Sequence, residues 1–377
     1  VLDMSLRIGV LGGGQLGRMM ALAGYPLNLS FAFFDKAVDC PSAALGPRFG
    51  DDSYSEASLQ AFIDSADVFT YEFENIPTHW VEAIAQRKPV YPGVKSLAVS
   101  QNRLNEKQLF ASLNIPSARN HEIRSESDLQ AAVTALGLPL VVKTVTEGYD
   151  GKGQFLLRDP EQISQCWQKL GASTPLIAEE FIQFKRELSI LAVRGQDGAT
   201  LFYPLAENHH HGGILSHSIV PAPHLDENTQ LTAERYISSI LRELGHVGVL
   251  TLELFETRHG LMANETAPRV HNSGHWSIEG AHSSQFENHV RAVAGLPLGS
   301  TRAEKPSAMI NIIGKHPSSH DVLNVTDAHL HLYGKSEREG RKLGHITVTA
   351  DSYPELEMRM SRLAEVLPNP MALNLSR

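Results

Sequence analysis

The chain has 377 residues, 42% of them apolar and 20% charged, an ordinary globular composition with material for two or three domains. Its formal net charge of −9, from 33 basic against 42 acidic residues, argues against a basic footprint for nucleic-acid phosphates. Cys40 and Cys166 lack disulfide-framework or metal spacing, and no apolar run nears the roughly 18–20 residues that cross a bilayer, so a cytoplasmic protein without membrane or nucleic-acid partners is expected.

In chain order, Leu6–Leu11 reads as a strand, followed by a glycine-rich turn and a helical run over Arg18–Ala23. Ser30–Phe34, Val68–Tyr71 and Pro89–Tyr91 read as further strands, with an amphipathic stretch at Thr78–Gln86. Strands alternating with helices imply a parallel sheet, ending near Ser100. Helices are expected over Asn102–Leu113 and Ser125–Leu136, the latter with Ser125 as N-cap and Gly137 past its end. Leu140–Lys143 and Gln154–Arg158 should flank a loop; Leu176–Ile182, Glu187–Arg194 and Thr200–Pro204 add strands, and His209–His211 is read as loop. A helix over Asn228–Leu244 precedes a β-rich stretch at Val247–Ala267. From Thr301 come strands at Ala308–Ile313, His329–Tyr333 and His345–Ala350, then an amphipathic helix carrying Leu356, Met360, Leu363 and Leu367.

Two glycine loops point to phosphate. Gly12-x-Gly14-x-x-Gly17 follows a strand, opens a helix and precedes Asp35 at the end of the next strand, the context of a dinucleotide fingerprint or simply of a tight turn. The second, Thr144–Gly153, has three glycines in its last six positions, and lysines at 143 and 152. Its backbone can curl around an anion, although no helix follows as a Walker loop requires.

The clearest inference lies at Val249–Ala267. A hairpin turn centred on His259 pairs Glu253 directly with Glu265 on one face, with Leu250, Leu252 and Leu254 on the other. Like charges about 4.5–5.5 Å apart at Cβ repel, so such a pair implies a cation between them or a shared proton. Hard oxygen ligands beside nucleotide phosphates suit Mg²⁺. A turn displaced by one residue would separate the two carboxylates onto opposite faces.

Together these features resemble the ATP-grasp superfamily. Gly12–Met19, Gly148–Gln154, Asn264–Trp276 (Asn-Glu-Thr-Ala-Pro-Arg-Val-His-Asn-Ser-Gly-His-Trp) and Gly340–His345 are similar, more specifically, to the 5-(carboxyamino)imidazole ribonucleotide synthases of bacterial and fungal purine synthesis. The likeness runs over nearly the whole chain, and Asn264–Trp276 is its most specific part. It implies an α/β and α+β fold of ATP-grasp architecture. Residues 1–100 would form a Rossmann-like parallel-sheet domain, 101–300 the ATP-grasp domain with a flap subdomain at about 119–185, and 301–377 a small β-rich C-terminal domain with a terminal helix.

The resemblance also implies site residues. ATP would meet Arg103 and Lys143 near its phosphates, the flap Gly148, Tyr149, Asp150, Gly151, Lys152, Gly153 and Gln154 over them, and Glu179, Glu180, Phe181 and Ile182 along the adenine. Glu187 would accept from the ribose, with His210, Asn264 and Glu265 completing the nucleotide site. Glu253 and Glu265 match the magnesium ligands, with Mn²⁺ able to stand in. Substrate contacts would come from Gln15, Leu16, Glu72, Tyr149, Lys152, Asn272, Ser273, Arg341 and Lys342, and Arg269, His271 and Lys342 would act on the reacting groups. The residues themselves agree at one point: Lys335, Arg338, Arg341 and Lys342 put four cations into eight residues of an acidic chain, suited to a 5′-phosphate or else a solvated loop. Ser273 near His271 suggests a nucleophile and base, discounted for want of a third orienting group.

The reaction implied is ATP- and bicarbonate-dependent carboxylation of 5-aminoimidazole ribonucleotide through carboxyphosphate, by a homodimer. Its rivals are a formate-using glycinamide ribonucleotide transformylase of the same superfamily, a nicotinamide-dependent oxidoreductase using the first glycine loop, and a non-catalytic nucleotide sensor.

Overall fold

The computed structural model describes residues 6–148, 153–171 and 175–368. Strand β1 (Arg7–Leu11) turns through glycines into helix α1 (Gln15–Gly24). With β2 (Ser30–Phe34), β3 (Arg48–Phe49) and β4 (Val68–Tyr71) it forms a parallel sheet in the order β3-β2-β1-β4. The strands are near-continuous apolar runs because both faces are covered. Ile8, Val10, Phe31 and Phe33 pack toward α1, whereas Leu11, Phe34, Phe69 and Tyr71 join the core with α2 (Glu56–Ser65) and α3 (Thr78–Ala85). Residues 89–91, expected as a strand, make a single parallel bridge, with Phe69 bonded to the Pro89 carbonyl and the Tyr91 N–H. Pro89 and Pro92 have no N–H with which to extend the ladder, and the short β3 fills the fourth place instead.

Helices α4 (Val94–Ser100) and α5 (Arg103–Ser112) lead to a second, antiparallel sheet. Asn102 starts α5, its side chain accepting from the N–H groups of Leu104 and Asn105. The elements β5 (Asn120–Ile123), α6 (Glu126–Leu136), β6 (Leu140–Thr144), β7 (Gln154–Leu157), α7 (Ile163–Leu170) and β8 (Leu176–Glu180) give the order β5-β8-β6-β7 over a core of their own. As expected, Ser125 caps α6 and Gly137 ends it at φ +82°.

The remainder builds one large antiparallel sheet. It comprises β9 (Arg186–Arg194), β10 (Thr200–Phe202), β11 (Ala206–His211), β12 (Ile214–Val220), β13 (Gly248–Thr257), β14 (Gly260–Ala267), β15 (Ser307–Ile313), β16 (Ala328–Leu332) and β17 (Lys342–Thr349). The order is β14-β13-β9-β11-β12-β15-β17-β16, with β10 on β9. His209–His211, read as loop, end β11; Gly212 and Gly213, both at positive φ, turn it back into β12. Because β15 pairs with β12, the C-terminal strands extend the central sheet. Helix α8 (Glu227–Leu244) covers Leu250, Leu252 and Leu254 on one face, the apolar face expected of this strand. The other face meets α10 (Gln285–Val293), which packs in turn on α1 and so joins the first domain to the large sheet. Short α9 (Ser277–Gly280) and α11 (Ser319–Leu323) precede the terminal helix α12 (Tyr353–Val366), whose Leu356, Met360 and Leu363 are buried.

Candidate active site

Where the three sheets meet lies a cavity of about 850 Å³. Its centre is the β13–β14 hairpin. The turn is the two-residue Arg258–His259, so Thr257 pairs with Gly260 and Leu254 with Ala263, half a residue from the expected centre. Continued unbroken, that register would point Glu265 away from Glu253. Between Leu254 and Leu252 the register shifts by one: Leu252 pairs with Thr266, and β14 sets two residues, Asn264 and Glu265, opposite Glu253. The bulge returns Glu265 to the face of Glu253, and both carboxylates line the cavity.

Burial works against ionisation of both acids, with opposite outcomes. On Glu253 it is outweighed by His271, whose Nε2 stands 3.2 Å from Glu253 Oε1, and the carboxyl is held below its usual range. On Glu265 burial and then the Glu253 charge raise the pKa, against the pull of Arg103 and Lys143. This arrangement fits a hard divalent cation: two carboxylate donors converge, one of them costly to ionise without added positive charge.

His271 is fixed from behind. Its Nδ1 is 2.8 Å from Ser273 Oγ, which accepts from Ser189 Oγ at 2.8 Å, itself bonded to the Asn208 amide at 2.9 Å. The third group, absent from the sequence around this serine–histidine pair, is supplied by Glu253 from a distant strand. The hydrolase reading fails on access instead, since Ser273 is 0% exposed and does not reach the cavity. Arg269 is held through Nε and Nη2 by Glu74, with Nη2 2.9 Å from Glu74 Oε1. Although burial opposes it, Arg269 keeps Glu74 ionised below its usual range. Asn272 exchanges two amide hydrogen bonds, of 3.0 and 2.6 Å, with Asn311 on β15.

On the other wall, Lys143 Nζ donates to Glu179 Oε2 at 2.6 Å, and Lys107 Nζ pairs with Glu179 Oε1 at 3.0 Å. Burial opposes the Glu179 charge, but the two ammonium groups hold its pKa down to about 2. The side chain of Glu179, a residue expected to line the adenine largely through its backbone, is a buried counterion, 5% exposed. Glu180 turns its carboxylate to Arg119, while Phe181 follows β8 with its N–H bonded to the Pro139 carbonyl. Arg103 grips the root of the second glycine loop through the carbonyls of Thr144, Glu147 and Gly148, at 2.8, 2.6 and 3.2 Å. Gly148, Gly153 and Gln154 border the cavity. Tyr149, Asp150, Gly151 and Lys152 lie outside the described residues. His210 bonds through Nδ1 to Glu187; burial lowers its pKa, but this carboxylate outweighs it and raises the imidazole above its ordinary value.

The first glycine loop binds protein carboxylates. Glu72 accepts from the N–H groups of Gly14 and Gly17, the latter at 2.8 Å, and Asp35 accepts from Gly13 N at 2.9 Å. A Cβ at Gly12, where φ is +104°, would lie 2.5 Å from Glu72 Cγ. The donors that a dinucleotide pyrophosphate needs are therefore taken. Gln15, Leu16 and Glu72 still face the cavity, and Lys335 Nζ reaches Gln15 Oε1 at 2.5 Å. Lys342 lines the cavity, whereas Arg341 bonds to Ser336 at the surface.

Three residues escaped the sequence reading. Glu74 looks like any loop acid until Arg269, far along the chain, is placed against it. Glu106 and Lys107 sit in a helix whose apolar pattern is weak; both are buried, and burial raises Glu106 to about 7 against the charge of Lys107. Only their burial on the α5 face marks them, and a sequence does not show that face.

Comparison with known proteins gives three family models along the chain. These are a ribonucleotide synthetase preATP-grasp domain at 5–101, an ATP-grasp domain at 108–286 and a phosphoribosylaminoimidazole carboxylase C-terminal domain at 307–359. The chain is 48% identical over 362 residues to the N5-carboxyaminoimidazole ribonucleotide synthase of Pseudomonas aeruginosa, covering 96% of this chain and 99% of that one. It is similar to the crystal structure of the Thermus thermophilus synthetase at TM-score 0.93 and 46% identity, covering 98% and 100% of the two chains. An Aspergillus clavatus synthase solved with ADP and 5-aminoimidazole ribonucleotide matches at TM-score 0.89 and 31% identity, over 96% and 98%.

Proposed function

Because the chain belongs to the N5-carboxyaminoimidazole ribonucleotide synthases of the ATP-grasp superfamily, we propose that it carboxylates the exocyclic amine of 5-aminoimidazole ribonucleotide with bicarbonate, converting ATP to ADP and phosphate. The observation that carries this is the convergence of Glu253 and Glu265 on a cavity shared with Lys143, Arg103, Arg269 and His271. Formate-dependent transfer and hydride transfer are set aside: relatives of the synthase family match over nearly the full chain, and Glu72 fills the first glycine loop.

ATP lies between the β6–β8 wall and the β13–β14 hairpin, with Lys143 and Arg103 toward its phosphates and Glu187 with His210 toward its sugar. Glu253 and Glu265 would hold Mg²⁺, or Mn²⁺ in its place, which supplies positive charge beside the phosphates. Bicarbonate is a poor electrophile, so its oxygen first attacks the γ-phosphorus, breaking the bond to ADP and giving carboxyphosphate. The amine then bonds to the carboxyl carbon, of carboxyphosphate or of CO₂ released from it; phosphate departs and the amine loses a proton. Arg269, oriented by Glu74, and His271, oriented by Ser273, hold the carboxylate being transferred. Gln15, Leu16, Glu72, Asn272, Arg341 and Lys342 hold the ribonucleotide, and the family resemblance adds Tyr149 and Lys152 to its contacts. The chain acts as a homodimer. No helix among the described residues is long and apolar enough to cross a membrane.

The test is ADP release with each substrate omitted in turn, coupled to trapping of the labile carboxylated product. ADP formation that ignores both aminoimidazole ribonucleotide and bicarbonate would defeat the proposal.

A further inference from the structure

The bulge that turns Glu265 into the cavity takes Asn264 and Glu265 out of the regular ladder with β13. The Asn264 carbonyl at the bulge, and the N–H of Thr266 where the ladder resumes on the edge strand β14, need partners beyond β13. They come from two successive residues of α5. Glu106 Oε1 accepts from the N–H and from the hydroxyl of Thr266, each at 2.6 Å. Lys107 Nζ donates to the carbonyl of Asn264 at 2.9 Å. The carbonyl before Glu265 and the N–H after it are thus held by neighbouring side chains of one helix.

Both clamp residues are buried, Glu106 at 3% and Lys107 at 5% exposure. Charges at such positions cost several kcal/mol to desolvate, and apolar replacements of equal volume are often neutral or stabilising, so packing alone does not account for them. Lys107 does more than hold a carbonyl. Its ammonium also pairs with Glu179 at 3.0 Å, and the other oxygen of Glu179 takes Lys143 at 2.6 Å. One unbroken path therefore runs from the backbone beside Glu265, through Lys107 and Glu179, to Lys143. It crosses from β14 of the large sheet to β8 and β6 of the second sheet, the two walls between which ATP is placed. Three residues earlier on the same helix, Arg103 holds the root of the flap loop.

We infer that Glu106 and Lys107 are positioning residues for the phosphoryl-transfer step, fixing the Glu265 carboxylate and the Lys143 ammonium in one frame. The inference rests on the proposed role of Glu265. It requires that loosening the clamp weakens cation binding in the nucleotide complex and slows turnover, while leaving the ribonucleotide side of the cavity alone.

The experiment uses the full chain and measures Mn²⁺ binding with a non-hydrolysable ATP analogue by electron paramagnetic resonance, exchange of the Thr266 amide hydrogen, and steady-state kinetics. Lys107→Met should weaken Mn²⁺ binding and lower kcat by about tenfold or more, with KM for the ribonucleotide within about twofold; Lys107→Arg should recover part of both losses. Thr266→Val, which keeps shape and removes one donor to Glu106, should weaken Mn²⁺ binding by about threefold and speed Thr266 exchange. Wild-type Mn²⁺ binding in a folded Lys107→Met protein, beside its loss in Glu265→Gln, would overturn the clamp alone. Should Lys107→Met fail to fold, unchanged Mn²⁺ binding in Thr266→Val would do the same. If Glu265→Gln itself binds Mn²⁺ normally, the role of Glu265 falls and the clamp with it.

Discussion

Replacing Glu265 by Gln should make the empty protein more stable and the loaded protein less so. In the empty cavity the Glu265 pKa is raised, first by burial and then by the charge of Glu253. A carboxyl raised on folding contributes stability that is fully present below its unfolded pKa, near 4.3, and is lost as pH rises through the folded value. Glu265→Gln, which cannot ionise, escapes this loss and should therefore unfold at a higher Tm than the wild type once the pH is above that value. With Mg²⁺ and a non-hydrolysable ATP analogue at about 100 times their Kd, the wild type should gain about 2.7 kcal/mol by mass action. The variant should gain little, and the order of the two Tm values should invert. Turnover by Glu265→Gln should fall by about 10²-fold or more. Thermal unfolding of both proteins, with and without ligands, at pH 5.5 and 7.5 makes the test. A variant less stable than wild type without ligand at pH 7.5, or one with a full ligand shift, would refute the reasoning.

Gly12→Ala should cost about 2 kcal/mol or more, because the added Cβ meets Glu72 and a positive φ is strained for alanine; urea unfolding measures it, and added NADH should not shift the wild-type Tm. Ser273→Ala should retain activity within about tenfold, since this hydroxyl orients His271 and is not a nucleophile; complete loss in a folded variant would contradict that role. The His210–Glu187 pair raises the imidazole pKa, so its stabilisation should be complete below pH of about 6.5 and fade as pH rises through the folded value. Glu187→Gln should therefore be less stable than wild type at pH 6 by about 1 kcal/mol and closer to it at pH 9, as chemical denaturation can show.

The strands carrying the site were legible because alternation is local. Leu250, Leu252 and Leu254 declare a buried face, and the facing of Glu253 and Glu265 follows once the register is right. The register was reached by a route the chain does not take. The turn is half a residue from the expected centre, and a bulge at Asn264 and Glu265, which no residue pattern announces, restores the alignment. Pro89–Tyr91 looked like a strand because three residues suit one, yet two prolines leave it a single bridge. His209–His211 looked like loop because histidines carry no period, although the Gly212-Gly213 pair after them is a hairpin signal. What stayed hidden were pairings across long separations: Glu74 with Arg269, Lys107 with Glu179, Glu106 with Thr266. Each is a charge whose meaning lies in a partner that only the fold supplies.

Those pairings give the cavity its electrical logic. Glu179 is held by two lysines, Glu74 by Arg269, Glu253 by His271 and Glu187 by His210. Among the described residues no ion pair forms on Glu265, although Glu253 lies beside it and burial penalises its charge. A carboxylate left in that position gains more from an added cation than any of its neighbours, whose charge is already balanced. The same balance explains why the cation should arrive with the nucleotide. Alone it would have to shed water for one willing carboxylate and one reluctant one, whereas on the proposed placement of ATP phosphate oxygens would complete its shell, with Lys143 and Arg103 to offset their charge. Cation affinity measured without nucleotide should therefore be far weaker than with it, and Glu265→Gln should erase most of that difference, whereas Glu187→Gln should leave it standing.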